Sequence, residues 1–314
     1  MSTVIKVEQL LKQYGSLTAV NGISFEVRAG EIFGLLGENG AGKTTTLEIM
    51  EGLRRPTSGR VTILGHQLDH DLPLIKNKIG VQLQSSAYYS FLTLREILEL
   101  FGGFYAQSLP ALDLLKKVDL EFKAKAYVHQ LSGGQKQRFS IVASLVNDPE
   151  IVFLDEPTTG LDPIARRNLW QIIAGIKAAG KTVILTTHYM EEAEILCDRI
   201  AIMDAGKIVA LDQTEKLIAQ VKQPYKIMLT MAGLEQQSSL KSALEKLGRL
   251  VLEAPDSGKY ELHLGTQTAL NQAVKLLAEA EPESFSVQKA SLEDAFIELT
   301  GKRVAIDPVK EEHV

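Results

Sequence analysis

Cysteine is almost missing from this 314-residue chain, which holds one, Cys197. A lone thiol excludes an intramolecular disulfide and a cysteine-rich zinc site, and fits a reducing compartment. No stretch approaches the ~18 consecutive apolar residues that suggest a membrane-spanning helix. Any membrane role is therefore expected to come through a partner. Met1 to Gln13 alternate polar and apolar residues and lack the continuous apolar core of a secretory signal. The expectation is a chain that stays inside the cell. A basic surplus is also absent: the formal net charge is −5, which does not suit a phosphate-backbone binder, so no nucleic-acid partner is expected. His66, His70, His129, His263 and His313 show no metal-ligand spacing.

What is present reads as a globular protein. Hydrophobic residues make up 45% and charged residues 23%, enough for a sizeable core, and the length suits one large domain plus a smaller one. Short Val/Ile/Leu-rich runs at Glu31 to Leu36, Ile151 to Leu154 and Thr182 to Thr186 precede helical patterns, the alternation of a parallel sheet covered by helices. Leu92 to Phe101 and Ala111 to Val118 read as helices of an inserted subdomain. Arg199 to Asp204 and Lys207 to Leu211 flank Ala205-Gly206 as a tight hairpin.

The texture changes after Asp212. Helical residues through Gln220 lead to Gln223-Pro224, a linker signal. Tyr225 to Met231 reads as a strand. Leu240, Ala243, Leu244 and Leu247 then show helical spacing, as do Leu270, Ala273, Val274 and Leu277. Between these helices, Arg249 to Glu253 and Lys259 to Leu264 form a hairpin across Asp256-Ser257-Gly258. Ser284 to Gln288 adds another strand, giving the β-α-β-β-α-β order of a ferredoxin-like α+β domain. A last helix carries Leu292, Ala295, Phe296 and Leu299, ahead of a charged tail, 302–314, expected to be mobile. The predicted limits are 1–215 for the large domain, 216–224 for a linker and 225–301 for the smaller domain.

Three segments carry chemistry. Gly37-Glu38-Asn39-Gly40-Ala41-Gly42-Lys43-Thr44 satisfies G-x-x-x-x-G-K-[ST] between a predicted strand and the helical Thr45 to Leu53. Glycines let backbone N–H groups turn inward and the helix start adds its positive dipole end, so the loop suits phosphate. Lys43 is placed for the β- and γ-phosphates and the Thr44 hydroxyl for Mg²⁺. Second, the apolar run Ile151 to Leu154 ends in Asp155 and Glu156, where open α/β sheets bind ligands. Taken alone such an end is as readily a solvated turn. Beside a phosphate loop, Asp155 suits Mg²⁺, directly or through water, and Glu156 suits orienting or deprotonating an attacking water. Third, Leu131-Ser132-Gly133-Gly134-Gln135 opens a helix, with Ser132 as N-cap and the glycine N–H groups suited to a second phosphate face.

A Leu-Ser-Gly-Gly-Gln pentapeptide downstream of one phosphate loop and just ahead of an Asp-Glu strand resembles the signature motif of ABC ATPases. The resemblance covers residues 1 to about 215. It implies an α/β P-loop NTPase cassette with a RecA-like core, an antiparallel β subdomain and a helical subdomain, binding ATP and Mg²⁺. It further implies roles for residues that match in order. Tyr14 resembles the aromatic that stacks on adenine. Gln84, with Gln82 as a nearby competitor, resembles the Q-loop glutamine that senses Mg²⁺ and the attacking water. Ser132, Gly133, Gly134 and Gln135 resemble the face that contacts the γ-phosphate held by an opposite protomer. Gly160-Leu161-Asp162 resembles the D-loop, with Asp162 at the dimer contact, and His188 the switch histidine at the γ-phosphate. The implied site thus has Lys43, Gln84, Glu156 and His188 as catalytic groups. Gly37 to Thr45 cradle the nucleotide, and Thr44, Gln84 and Asp155 hold the metal.

Ser291 to Gly301 is similar to the ending of ATPase subunits of ABC-2-type exporters. The implied protein is the ATP-hydrolysing subunit of such a transporter, dimerising with a second ATPase subunit and held on the cytoplasmic face of the membrane by separate permease subunits. The loop 85–93, with Tyr88 and Tyr89, is the implied contact to them. The alternative is a soluble ABC ATPase acting on ribosomes or DNA.

Overall fold

The structure, a computed structural model, describes residues 2–82, 88–254 and 257–301. Gln84, the 85–87 part of the implied contact loop, Asp256 of the second hairpin turn and the 302–314 tail lie outside the described residues. The chain divides into two units, Met1–Thr214 and Glu215–Val314.

The first unit opens on a long antiparallel hairpin of β1 (Thr3–Tyr14) and β2 (Leu17–Arg28). Its register shifts between Val7 and Leu10, where Gln9 takes a left-handed φ of 46°. This bulge carries Leu10 into the core beside Ile5 and Val7, so simple alternation fails after Val7. Strand β3 (Ile32–Leu36) is buried at every position, as a strand covered on both faces must be. Helix α1 (Lys43–Met50) starts at Lys43 rather than the expected Thr45, because Gly42 supplies a φ of 99° that side chains resist.

Next come β4 (Ser58–Ile63), β5 (His66–Gln67), α2 (Leu68–Lys76) and β6 (Ile79–Gln82). The inserted helices are α3 (Leu94–Gly102) and α4 (Ala111–Lys116), followed by α5 (Gly133–Ala143). The core then resumes with β7 (Ile151–Asp155), α6 (Pro163–Ala178), β8 (Thr182–Thr187) and α7 (Met190–Leu196). Strands β9 (Arg199–Asp204) and β10 (Lys207–Gln213) form the expected hairpin, with Ala205 and Gly206 both at positive φ. Helix α8 (Thr214–Ile218) lies at the division between the units.

Two sheets result. One is antiparallel, in the order β2-β1-β4-β5. The other runs β10-β9-β3-β8-β7-β6, parallel from β9 to β6. Strands β3, β8 and β7 are neighbours, so the segments that follow them emerge at the same sheet edge. That edge collects the phosphate loop, His188 and the Asp155-Glu156 pair.

The second unit holds β11 (Tyr225–Thr230), α9 (Ser238–Leu247), β12 (Arg249–Leu252), β13 (Lys259–Leu264), α10 (Gln267–Ala280), β14 (Ser284–Lys289) and α11 (Leu292–Thr300). Its sheet runs β12-β13-β11-β14 and every neighbouring pair is antiparallel. Ile227, Leu229, Leu262 and Leu264 alternate inward and pack with Leu244, Leu270 and Leu277 from the helices. Helix α11 begins on a capping box of Ser291 and Asp294 and stops at Gly301, φ 72°.

Candidate active site

The phosphate loop is shaped by what its glycines permit. A Cβ on Gly42 would lie 2.4 Å from the Ala19 carbonyl oxygen, and one on Gly37 2.4 Å from that of Met203. With both absent, the loop from Glu38 to Ala41 closes into a tight curl. Lys43 is buried and reaches back across it, its Nζ donating to the carbonyls of Gly37 at 2.8 Å and Glu38 at 3.1 Å. The N-cap residue Gly42 has no side chain to accept the first-turn N–H groups of α1. Those donors, with Thr44 and Thr45 beside them, form a cradle for an anion.

Across the cradle, Asp155 Oδ1 accepts from the Thr44 hydroxyl at 3.2 Å and the Thr186 hydroxyl at 2.5 Å. Burial raises the Asp155 pKa, while the two hydroxyls oppose the rise. A carboxylate and a threonine hydroxyl in contact at the mouth of a phosphate cradle are the hard oxygen donors that Mg²⁺ takes alongside phosphate, so the residues fit that ion.

Glu156 follows with a left-handed φ of 45°, an uncommon conformation for a residue with a side chain, held by its N–H donating to Thr186 Oγ1 at 3.0 Å. Its Oε1 lies 3.3 Å from His188 Nδ1 and 3.5 Å from Lys43 Nζ, and its Oε2 accepts from Thr159 at 3.1 Å. The His188 contact is off the line of a well-aligned hydrogen bond, yet the ring is the largest influence on the carboxyl. His188, then Lys43 and Thr159, hold the Glu156 pKa down to about 2 against its burial. Burial lowers the Lys43 pKa, and Glu156 counteracts it.

A second buried carboxyl supports this edge. Glu192 on α7 accepts from Thr158 Oγ1 at 2.7 Å and from Trp170 Nε1 at 3.0 Å, and burial raises its pKa. It ties the turn after Glu156 to α6 and to the segment after His188. Sequence reading missed this group and Thr186, since no spacing rule links positions so far apart. Glu51, which ends α1, is also buried, with Oε1 unpartnered and its pKa pushed up to about 8 by burial, Asp155 and Glu48 adding. It borders a cavity of about 470 Å³ walled by Tyr88, Phe101, Phe104 and Tyr105.

Other candidate residues stand apart from the Lys43-Glu156 cluster. Tyr14, at the end of β1, lies under the cations of Lys12 (5.0 Å to the ring centre) and Arg54 (5.4 Å). Ser132 caps α5, its Oγ accepting the Gln135 N–H at 3.3 Å while Gln135 Oε1 accepts the Ser132 N–H at 3.1 Å. A Cβ on Gly133 would meet open space, and one on Gly134 would come 3.3 Å from the Ala165 Cβ. Asp162 caps α6, its Oδ1 accepting the N–H groups of Ile164 at 3.0 Å and Ala165 at 2.9 Å.

Known proteins share this pattern. The family profile for the ABC transporter domain matches residues 20–159. The linearmycin resistance ATP-binding protein LnrL of Bacillus subtilis is 36% identical over 311 residues, covering 95% of this chain and 99% of its own. The chain belongs to the ABC transporter ATP-binding proteins. A Nod factor export ATP-binding protein of Ralstonia nicotianae is 42% identical over 222 residues, 68% of each chain. Among solved structures, a dimeric ATP-binding cassette in a post-hydrolysis state with ADP and Pi superposes with a TM-score of 0.61 at 30% identity, covering 67% of this chain and 98% of that one. This ABC protein is thus an ATPase with the P-loop cassette fold, of a kind whose cassettes dimerise and work with transporter partners. The ribosome- or DNA-acting alternative is not supported. Among the described residues, no helix is long and apolar enough to cross a membrane.

Proposed function

We propose that this chain powers export across a membrane by clamping ATP between two copies of itself and hydrolysing it there. The carrying observation is the convergence of Lys43, Thr44, Asp155, Glu156 and His188 on one sheet edge. Lys43 and the N–H groups of Gly37 to Thr45 hold the phosphates, and Tyr14 offers its ring to adenine. Thr44, Asp155 and Gln84 hold Mg²⁺. When bound, that ion neutralises phosphate charge and orients the terminal group.

Glu156, ionised at neutral pH, orients the attacking water by accepting its hydrogen bond, and His188 donates to the phosphate side of the same site. A carboxylate with a pKa near 2 is a weak proton acceptor while it keeps its Lys43 and His188 contacts. Recruitment of Lys43 by phosphate raises its basicity. Ser132, Gly133, Gly134 and Gln135 serve the partner's terminal phosphate, with Asp162 at the contact between copies. The export names of relatives support the direction.

Separate permease subunits would hold the pair on the cytoplasmic face of the membrane, engaging Tyr88 and Tyr89 beside the aromatic-walled cavity. The second unit, from 225 to 301 after a 216–224 linker, is read as a ferredoxin-like accessory domain, on its β-α-β-β-α-β order. ATPase assays on the wild type and Glu156→Gln, with ATP-driven dimerisation measured in parallel, test the central reading. Turnover lost by about 10²-fold or more with dimerisation retained supports it. Full turnover in the variant overturns it.

A further inference from the structure

Among the described residues, strand β14 is an open edge. It pairs with β11 on one side only, in an unbroken register from Tyr225↔Lys289 to Thr230↔Ser284, and each of its residues is exposed. Proteins usually blunt such edges with proline, bulges or inward charges. Strand β14 has no proline or bulge within it and carries one charge on the inward face, Lys289, at its last position, whereas the opposite edge, β12, spans only 4 residues.

The direction of its unpaired backbone groups is fixed. Ala290 N–H donates to the Pro224 carbonyl at 2.9 Å, in line with the β11 register. By the alternation of an antiparallel ladder, Ser284, Ser286 and Gln288 face β11, and the N–H and C=O groups of Phe285, Val287 and Lys289 face outward. The side chains of Phe285 and Val287 lie on the same face as their buried partners Leu229 and Ile227, yet remain 37% and 46% exposed. Glu283 and Lys289, at the two ends, are exposed and have no ion pair among the described residues.

The sequence of this edge is complementary to itself. Two antiparallel copies centred on Ser286 set Phe285 opposite Val287, Ser284 opposite Gln288 and Glu283 opposite Lys289. The outward groups of Phe285 and Val287 then meet as a hydrogen-bonded pair, and the two Ser286 residues meet as a non-bonded pair. Apolar, polar and charged positions all match, and one two-fold axis satisfies them. We propose that β14 pairs with β14 of a second copy of this chain about a two-fold axis at Ser286, joining the two C-terminal sheets into one. This contact does not involve the nucleotide site, and it stands or falls apart from the ATP clamp proposed above.

Cysteine scanning on the full chain tests it, because the native Cys197 is buried. The non-bonded pair sets the two Ser286 Cα atoms about 4.5 Å apart, within the range of about 4.4–6.8 Å that a disulfide spans. Ser286→Cys is expected to form a covalent dimer under mild oxidation, with or without ATP. Ser284→Cys and Gln288→Cys should each link poorly alone but link to one another when mixed. Val287→Pro removes an outward N–H and leaves the β11 ladder intact, and should slow Ser286→Cys linkage at least tenfold. Glu283→Lys should slow it too, and adding Lys289→Glu should restore it. Equal linkage at all three cysteine positions, no linkage at Ser286→Cys, or linkage of that cysteine to a different protein instead overturns the proposal.

Discussion

Lys43 Nζ stands 3.5 Å from Glu156 Oε1, both side chains buried, at the one sheet edge where nucleotide phosphate would compete for the same ammonium. The contact joins the group that holds phosphate to the group placed for water. Removing the lysine charge should weaken nucleotide binding by about 10- to 100-fold, the range for a hydrogen bond to a charged group. Titration of Lys43→Ala with a fluorescent ATP analogue reads this directly. Glu156→Gln, which frees Lys43, should bind nucleotide at least as tightly as wild type.

Acid stability should carry the imprint of Glu156. Its pKa falls from the ordinary 4.5 to about 2 on folding, so it stabilises the fold above 4.5 and loses that contribution as pH drops toward 2. Thermal melts between pH 5 and 2 should therefore fall less steeply for Glu156→Gln than for wild type. Parallel slopes would contradict the assigned contacts.

Glu51 predicts the opposite slope. Its pKa rises to about 8 on folding, so its contribution is complete below 4.5 and vanishes as pH climbs through 8. Glu51→Gln is expected to melt higher than wild type at pH 8, with the gap narrowing at pH 5.

Thr186 joins the two acidic residues, donating to Asp155 and accepting from the Glu156 N–H. Thr186→Val keeps the shape, strands the Glu156 N–H and leaves Asp155 with the Thr44 hydroxyl alone. A loss of about 1–3 kcal/mol in denaturant unfolding is expected, together with reduced turnover, and Thr186→Ser should recover most of each.

Gly42→Ala meets a carbonyl at 2.4 Å and a φ of 99°. It should abolish nucleotide binding in the titration above, while Gly133→Ala, which meets open space, should leave the fold's melting temperature unchanged.

The phosphate loop was legible because its glycines, lysine and threonine must be contiguous to wrap a phosphate. The β9-β10 hairpin was legible because a two-residue turn at positive φ tolerates few residues. Strand β1 is not among the strands expected from the sequence, and the bulge at Gln9 breaks its alternation after Val7. Thr186 and Glu192 escaped notice for another reason. Their meaning lies in partners 31 and 34 residues away, Asp155 and Thr158, which no local pattern encodes.

The cap at Ser132 has a consequence for how its helix start would meet a partner. A hydroxyl has one proton to give and two lone pairs to offer. Capping Gln135 occupies a lone pair and leaves the proton without an acceptor among the described residues. Holding the helix in shape therefore aims this serine outward as a donor, and threonine preserves both duties where alanine preserves neither.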